Sequence, residues 1–372
     1  MNTGTRINVV NIGLMIFSCI AAFIMPFEVF LFAYAVLGPL HYLTEISWLH
    51  DRQYFTKGKY DSIVLWIIGG IILFESLAYR NKWNWPFGSD FGNKIVFVAL
   101  TGSLLMIFVK NIYIKIFGVL FILFISNAIF KTDQRDGFAF FIGALLPTLI
   151  HVFVFTGFFI LFGALKSRSV SGLVSFLVFI VCPILLFTIF RDRTFVEITK
   201  YGQDSYVAGG DGFYDTNLSF LTHIFNIDFP QLQDASGNLL YYEGTDGLQM
   251  PAKDYSNAAQ VVFHSQTGIL LMRFIAFAYT YHYLNWFSKT EVIKWHKVPK
   301  ARFVGVVILW VTSLTLYGVN YSLGLRWLYF LSFCHVLLEF PLNMVCITGI
   351  FKETGSIVRN GFKVSPALSK GV

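Results

Sequence analysis

Four histidines stand where polar side chains are costly: His41, His151, His282 and His335 each fall inside a long apolar run. Ionisable residues at such positions usually face a bundle interior and mark a pathway or a site. One buried imidazole can satisfy itself on a backbone carbonyl. Four on four separate segments point instead to a shared metal site, with scattered structural histidines and a proton path as the competing readings. Two carry a carboxylate one helical turn later, in "GPLHYLTE" (His41, Glu45) and "FCHVLLEF" (His335, Glu339). The i,i+4 spacing places each pair on one helix face. A ligating imidazole commonly gives its other N–H to a carboxylate, which fixes the tautomer. His282 has Asn285 three residues on, a third candidate for such support. An all-imidazole set without thiolates suits iron, zinc or copper, and an open position beside four neutral imidazoles suits Fe(II) that meets O2. Zinc hydrolysis fits the same donors.

The remaining histidines read differently. His50 with Asp51 lies at a span edge, His296 sits in the basic stretch "KTEVIKWHKVPK" beside Trp295, and His223 belongs to a polar insertion. His264 lies 18 residues before His282, too far along one helix to share its site. Glu75 and Arg273 are candidates for a buried ion pair, structural before functional.

The elements that must position these residues are membrane helices. The chain has 372 residues, 56% hydrophobic and only 13% charged, with Phe at 42 positions. Apolar runs long enough to cross a bilayer recur at roughly 8–25, 27–49, 62–79, 94–109, 112–130, 137–164, 169–190, 262–287, 302–319 and 326–350. The fold class is therefore all-α, a polytopic membrane bundle of about ten transmembrane helices. Met25-Pro26-Phe27 marks a tight turn between the first two spans, and no small-residue cleavage site makes the first a signal peptide. Pro39 and Pro147 precede His41 and His151 by two and four residues and predict locally altered helix geometry. The four cysteines (Cys19, Cys182, Cys334, Cys346) lie within spans without a CxxC spacing, so they read as small apolar packing groups.

Lys and Arg flanking the spans set orientation. Arg52, Lys57 and Lys59, then Lys289, Lys294, Lys297, Lys300 and Arg302, then Lys352, Arg359, Lys363 and Lys370 share one side if both termini are cytoplasmic. Arg80, Lys82 and Lys94 weigh mildly the other way. The net charge of +7 is thus an orientation signal and not a nucleic-acid footprint. Under this orientation the four histidine helices run in the same direction. Counted from the cytoplasmic ends, His282 and His41 come out about 10 Å deep and His151 and His335 about 20–25 Å. Helix tilt leaves room for one common level.

Residues 194–261 form an acidic insertion with nine carboxylates against Lys200 and Lys253, a formal charge of −7. This places the segment outside the cytoplasm as a small mixed cap, with "DASGNLLYYEGTDG" reading as a hairpin. Its acidic spacing matches no EF-hand loop. A protein partner could dock there. The organisation is then transmembrane helices one to seven over 1–193, the cap over 194–261, helices eight to ten over 262–351, and a basic tail over 352–372.

The first and last motifs resemble those of the integral-membrane bacterial β-carotene dioxygenases, the Brp/Blh group. "GPLHYLTE" is similar to that family's "GLPHGALD"-like element, and "FCHVLLEF" to its late "PHxxLxD"-like element. "LIHVFVFT" and "YHYLNWF" stand for the two central motifs. The resemblance covers about 35 residues in four short islands. It implies metal ligation by His41, His151, His282 and His335, an Fe(II) cofactor, and O2-dependent cleavage of a carotenoid in a bacterial inner membrane. Trp286 stands where the family has a second histidine, and Thr156 where its second motif ends in an acid. With the long insertion, these departures imply a diverged member.

Two other classes compete. A proton-coupled transporter would use the same buried His, Glu and Arg residues. A non-catalytic subunit of a membrane assembly would dock through 194–261. A membrane di-iron desaturase is disfavoured, because no two histidines are closer than nine residues.

Overall fold

The computed structural model describes residues 3–88, 90–130, 135–189, 191, 198–207, 213–243, 249–289 and 298–362. Of the sequence expectations, His296 with Trp295, Lys294 and Lys297, tail residues Lys363 and Lys370, and Glu197, Asp211 and Asp246 of the cap lie outside these residues.

The spans appear as α1 (Thr3–Ile24), α2 (Pro26–Asp51), α3 (Asp61–Arg80), α4 (Phe91–Phe108), α5 (Ile112–Ile129), α6 (Gly137–Ser167) and α7 (Val170–Phe187). After the cap helices α8 (Lys200–Val207) and α9 (Phe213–His223) come α10 (Ala258–His264), α11 (Gln266–Ser288), α12 (Lys300–Val319) and α13 (Tyr321–Asn360). Among the described residues nine helices are long and apolar enough to cross a membrane, or ten if α10 and α11 form one bent span. The protein is an all-α polytopic bundle. Phe17, Ile67, Phe117, Phe124 and Leu177 point outward and are more than half exposed, an apolar periphery that suits lipid.

The sequence expects one continuous span at 262–287, and the structure bends it by 57° between α10 and α11. The cause is local. Ser265 is extended (φ −76°, ψ 152°), and its Oγ accepts from the Gly268 N–H, an N-cap that starts α11 afresh. Asn320 likewise starts α13 by accepting from the Leu323 N–H at 3.1 Å, so this helix begins five residues earlier than its apolar run.

Both prolines coincide with widened helix. Ala33–Leu37, just before Pro39, and Phe141–Phe155, around Pro147, are wound with i→i+5 hydrogen bonds. A ring that lacks an N–H and crowds the preceding turn favours such widening. The widened segments lead into His41 and contain His151.

Helix α11 is the central staff. Ala276, Phe277, Ala278 and Tyr281 are fully buried, and α11 packs on α1, α2 and α6. Helix α13 packs on α2, α3, α4 and α6. The expected Glu75–Arg273 pair is not formed. Glu75 Oε1 accepts from the Gly92 N–H at 3.2 Å, whereas Arg273 Nε donates to the Phe23 carbonyl at 3.1 Å and its guanidinium lies over the Phe23 ring.

The cap covers one end of the bundle. Glu28 Oε1, at the start of α2, accepts from the Thr199 N–H, His223 stacks on Phe140 at 4.4 Å, and Phe213 meets Tyr321 edge-on. The expected hairpin exists as β1 (Tyr241–Glu243) paired antiparallel with β2 (Gln249–Pro251). At the opposite end Arg302 grips Asp51 (2.6 Å), and Lys115 pairs with Asp61 (2.6 Å).

Candidate metal centre

The four intramembrane histidines meet. Each lies 14 to 16 residues beyond the cap-side start of its helix: His41 beyond Pro26, His151 beyond Gly137, His282 beyond Gln266 and His335 beyond Tyr321. Nε2 of His41 is 3.0 Å from Nε2 of His282, and Nε2 of His151 is 3.1 Å from Nε2 of His335. Ring centroids of His41 and His335 are 5.5 Å apart, and those of His151 and His282 5.0 Å. Ligand atoms of His41, His282 and His335 all lie within 4.8 Å of one another. All four side chains are buried. The count from the cytoplasmic ends gives two depths with room for one common level; the rings do meet, and it is the cap-side ends of the four helices that are in register.

Polar groups stand behind two of the rings. Thr156 Oγ1 is 2.7 Å from Nδ1 of His282. Glu339 Oε2 is 3.2 Å from Nδ1 of His151. The Thr156 hydroxyl can donate to or accept from its nitrogen, whereas the Glu339 contact with His151 is a close approach of charge without a hydrogen bond. The sequence pairs Glu339 with His335 on its own helix; the structure turns it to His151 on α6 instead. The ring of His335 is held by Tyr42, stacked at 4.2 Å, and the Tyr42 hydroxyl meets that of Tyr283 at 2.7 Å.

Glu45 takes a different place from the expected one. Its Oε2 lies 3.0 Å from Nε2 of His41, the nitrogen that faces His282, and has no hydrogen-bond partner. Nδ1 of His41 is also unpartnered. The carboxylate therefore stands on the inner side of the ring, among the nitrogens. Asn285 is buried with Oδ1 unpartnered, and no hydrogen bond joins it to the histidines. Trp286 donates to Thr44 Oγ1 at 2.9 Å and sets its indole edge-on to His41, so it walls the site.

A metal ion suits this donor set. Two imidazole nitrogens bound at about 2.1 Å and about 90° to each other stand about 3.0 Å apart, close to the two Nε2 pairs seen. An orphaned, buried carboxylate oxygen beside them supplies negative charge where a cation would lower the cost of burying it. The four free cysteines are buried, and none joins the three-histidine group.

The rings of His151, His282 and His335 line the inner end of a cavity of about 530 Å³. It rises toward the cap, where Tyr206, Phe213 and Phe220 close it over, and reaches the side of the bundle between α3 and α13. The two prolines hint at an internal cavity, but sequence patterning does not locate this chamber, since its wall is drawn from seven helices. The contacts made by Thr156 and Tyr42 were equally hidden. Their contacts are to residues 126 and 293 positions away. Comparison with protein-family models, curated proteins and solved structures finds no match.

Proposed function

We propose that this protein is a membrane-embedded metalloenzyme that oxidises a lipophilic substrate with O2, at an ion held by His41, His151, His282 and His335. One observation supports the reading: ligand atoms of His41, His282 and His335 lie within 4.8 Å of one another, with His151 Nε2 3.1 Å from that of His335, beside a cavity that three of the four rings line. When bound, Fe(II) would supply electrons for O2 activation; zinc would supply a Lewis acid and copper a redox centre of other geometry.

The chain's own groups do the rest. Thr156 orients His282, Glu339 sets a carboxylate beside His151, and Tyr42 fixes the plane of His335. The aromatic wall, with Phe30, Tyr34 and Tyr279 beside the imidazoles, excludes bulk water and admits an extended hydrocarbon. The resemblance of "GPLHYLTE" and "FCHVLLEF" to the Brp/Blh motifs supports carotenoid-like substrates and iron. The same resemblance supports a bacterial inner-membrane location, and the Lys and Arg distribution supports both termini cytoplasmic and the cap outside.

The test is metal analysis of the purified protein. We expect about one equivalent of metal in wild type, and loss of it in His282→Ala and His335→Ala. Absence of metal in wild type rejects the reading. A proton-coupled transporter would instead show substrate-dependent proton flux in liposomes without bound metal.

A further inference from the structure

We propose that the substrate of this site is an amphipathic acid, a single apolar chain ending in a carboxylate, which Arg326 holds at the cavity mouth. The inference rests on the cavity described above and extends the reading of the histidine site by naming its ligand class. The mouth carries a guanidinium, whereas the inner wall mixes aromatic rings with uncharged polar groups such as Thr148 and Asn217. Arg326, Asn81 and Tyr329 are its exposed rim, between the end of α3 and the first turns of α13. Among the described residues no carboxylate pairs with Arg326. Asn81 Nδ2 donates to the Leu77 carbonyl at 2.8 Å, so the guanidinium of Arg326 is the rim's charged donor.

The polar rim and the imidazoles are separated along one helix. From Arg326 to His335 is nine residues of α13, about 13 Å of rise, the length of an extended chain of roughly ten carbon–carbon bonds. A headgroup at Arg326 thus sets which carbon reaches the histidines. A guanidinium fork recognises a carboxylate in two parallel hydrogen bonds, which a neutral hydrocarbon cannot use. The rim opens on the bundle's side near its cap end, where an acid in a bilayer leaflet keeps its headgroup. A cavity of about 530 Å³ takes one chain and not the two of a phospholipid.

The experiment measures binding of tritiated oleate, its methyl ester and β-carotene to the purified full-length protein in nanodiscs, with metal content determined on the same samples. We expect saturable oleate binding that Arg326→Gln weakens about tenfold or more and Arg326→Lys partly restores, with ester binding unaffected by either change. Equal oleate affinity in wild type and Arg326→Gln overturns the proposal, as does preference for the ester or for β-carotene. Unchanged thermal unfolding of both variants separates a headgroup effect from damage to the fold. Metal-loaded protein that prefers the neutral chains sinks the acid and leaves the metalloenzyme. Metal-free protein that binds oleate through Arg326 supports the acid site and ends the enzyme reading.

Discussion

Glu339 turns away from the histidine on its own helix and sets a carboxylate oxygen 3.2 Å from Nδ1 of His151, across the interface between α13 and α6. Both side chains are buried to about one per cent exposure. A carboxylate behind an imidazole orients the ring and raises its basicity toward an ion on the other side. Glu339→Gln keeps the shape and removes the charge. Metal affinity, measured by chelator competition, should fall roughly 10–100-fold while the protein stays folded. Unchanged affinity would show that His151 needs no such partner.

Thr156 offers a cleaner contrast, because its hydroxyl reaches Nδ1 of His282 at 2.7 Å with no charge involved. Thr156→Val is close in shape but leaves that nitrogen unpartnered, and Thr156→Ser keeps the oxygen. The valine variant should lose about tenfold or more in metal affinity, and serine should recover most of it. Equal loss in both would point to packing and not to the hydroxyl.

The two carboxylates and the threonine also show where sequence reasoning stops. Their helices were legible: apolar runs mark every span, and the cap hairpin follows from its turn residues. The burial of His41, His151, His282 and His335 was legible from the apolar runs around them. Their common level was not, because α6 and α13 extend well past the histidines at the far end, to Ser167 and Asn360. Counting from that end separates rings that the cap-side starts place in register. Partner choice was hidden for another reason. The i,i+4 rule states what can meet on one helix, whereas Glu339 meets His151 on another, within the widened stretch around Pro147. Glu45 is the converse case. Its spacing to His41 is met, but at the inward nitrogen, and no pattern in the chain distinguishes one ring atom from the other.

Tyr42 tests how the ring of His335 is held. Tyr42→Phe removes the 2.7 Å contact with the Tyr283 hydroxyl but keeps the stack on His335. It should cost about 0.5–1.5 kcal/mol of stability with metal binding intact. Tyr42→Leu removes the stacked ring as well and should weaken metal binding too. A phenylalanine variant that loses metal as fully as the leucine variant would assign the effect to the hydroxyl pair.

The cap should loosen in acid. Asp234 accepts from the side chain and backbone N–H of Asn238 and from the Ser236 N–H, which hold its carboxyl below the ordinary 3.8. The side chain of Lys253 does the same for Asp228, and the Ser256 N–H for Asp254. A carboxyl whose folded pKa lies below its unfolded one adds stability fully present above the unfolded value. That contribution is lost as pH falls through the folded value. These groups are solvent-exposed, so the effect should be local to the cap and leave the bundle intact. Amide exchange at 236–240, corrected for its intrinsic pH dependence, should show constant protection from about pH 7 to about pH 5 and reduced protection near pH 2.5. Asp234→Ala should show the reduced protection at every pH. Protection at pH 2.5 equal to that at pH 5 in the unsubstituted protein would mean that these carboxylates do not hold the turn.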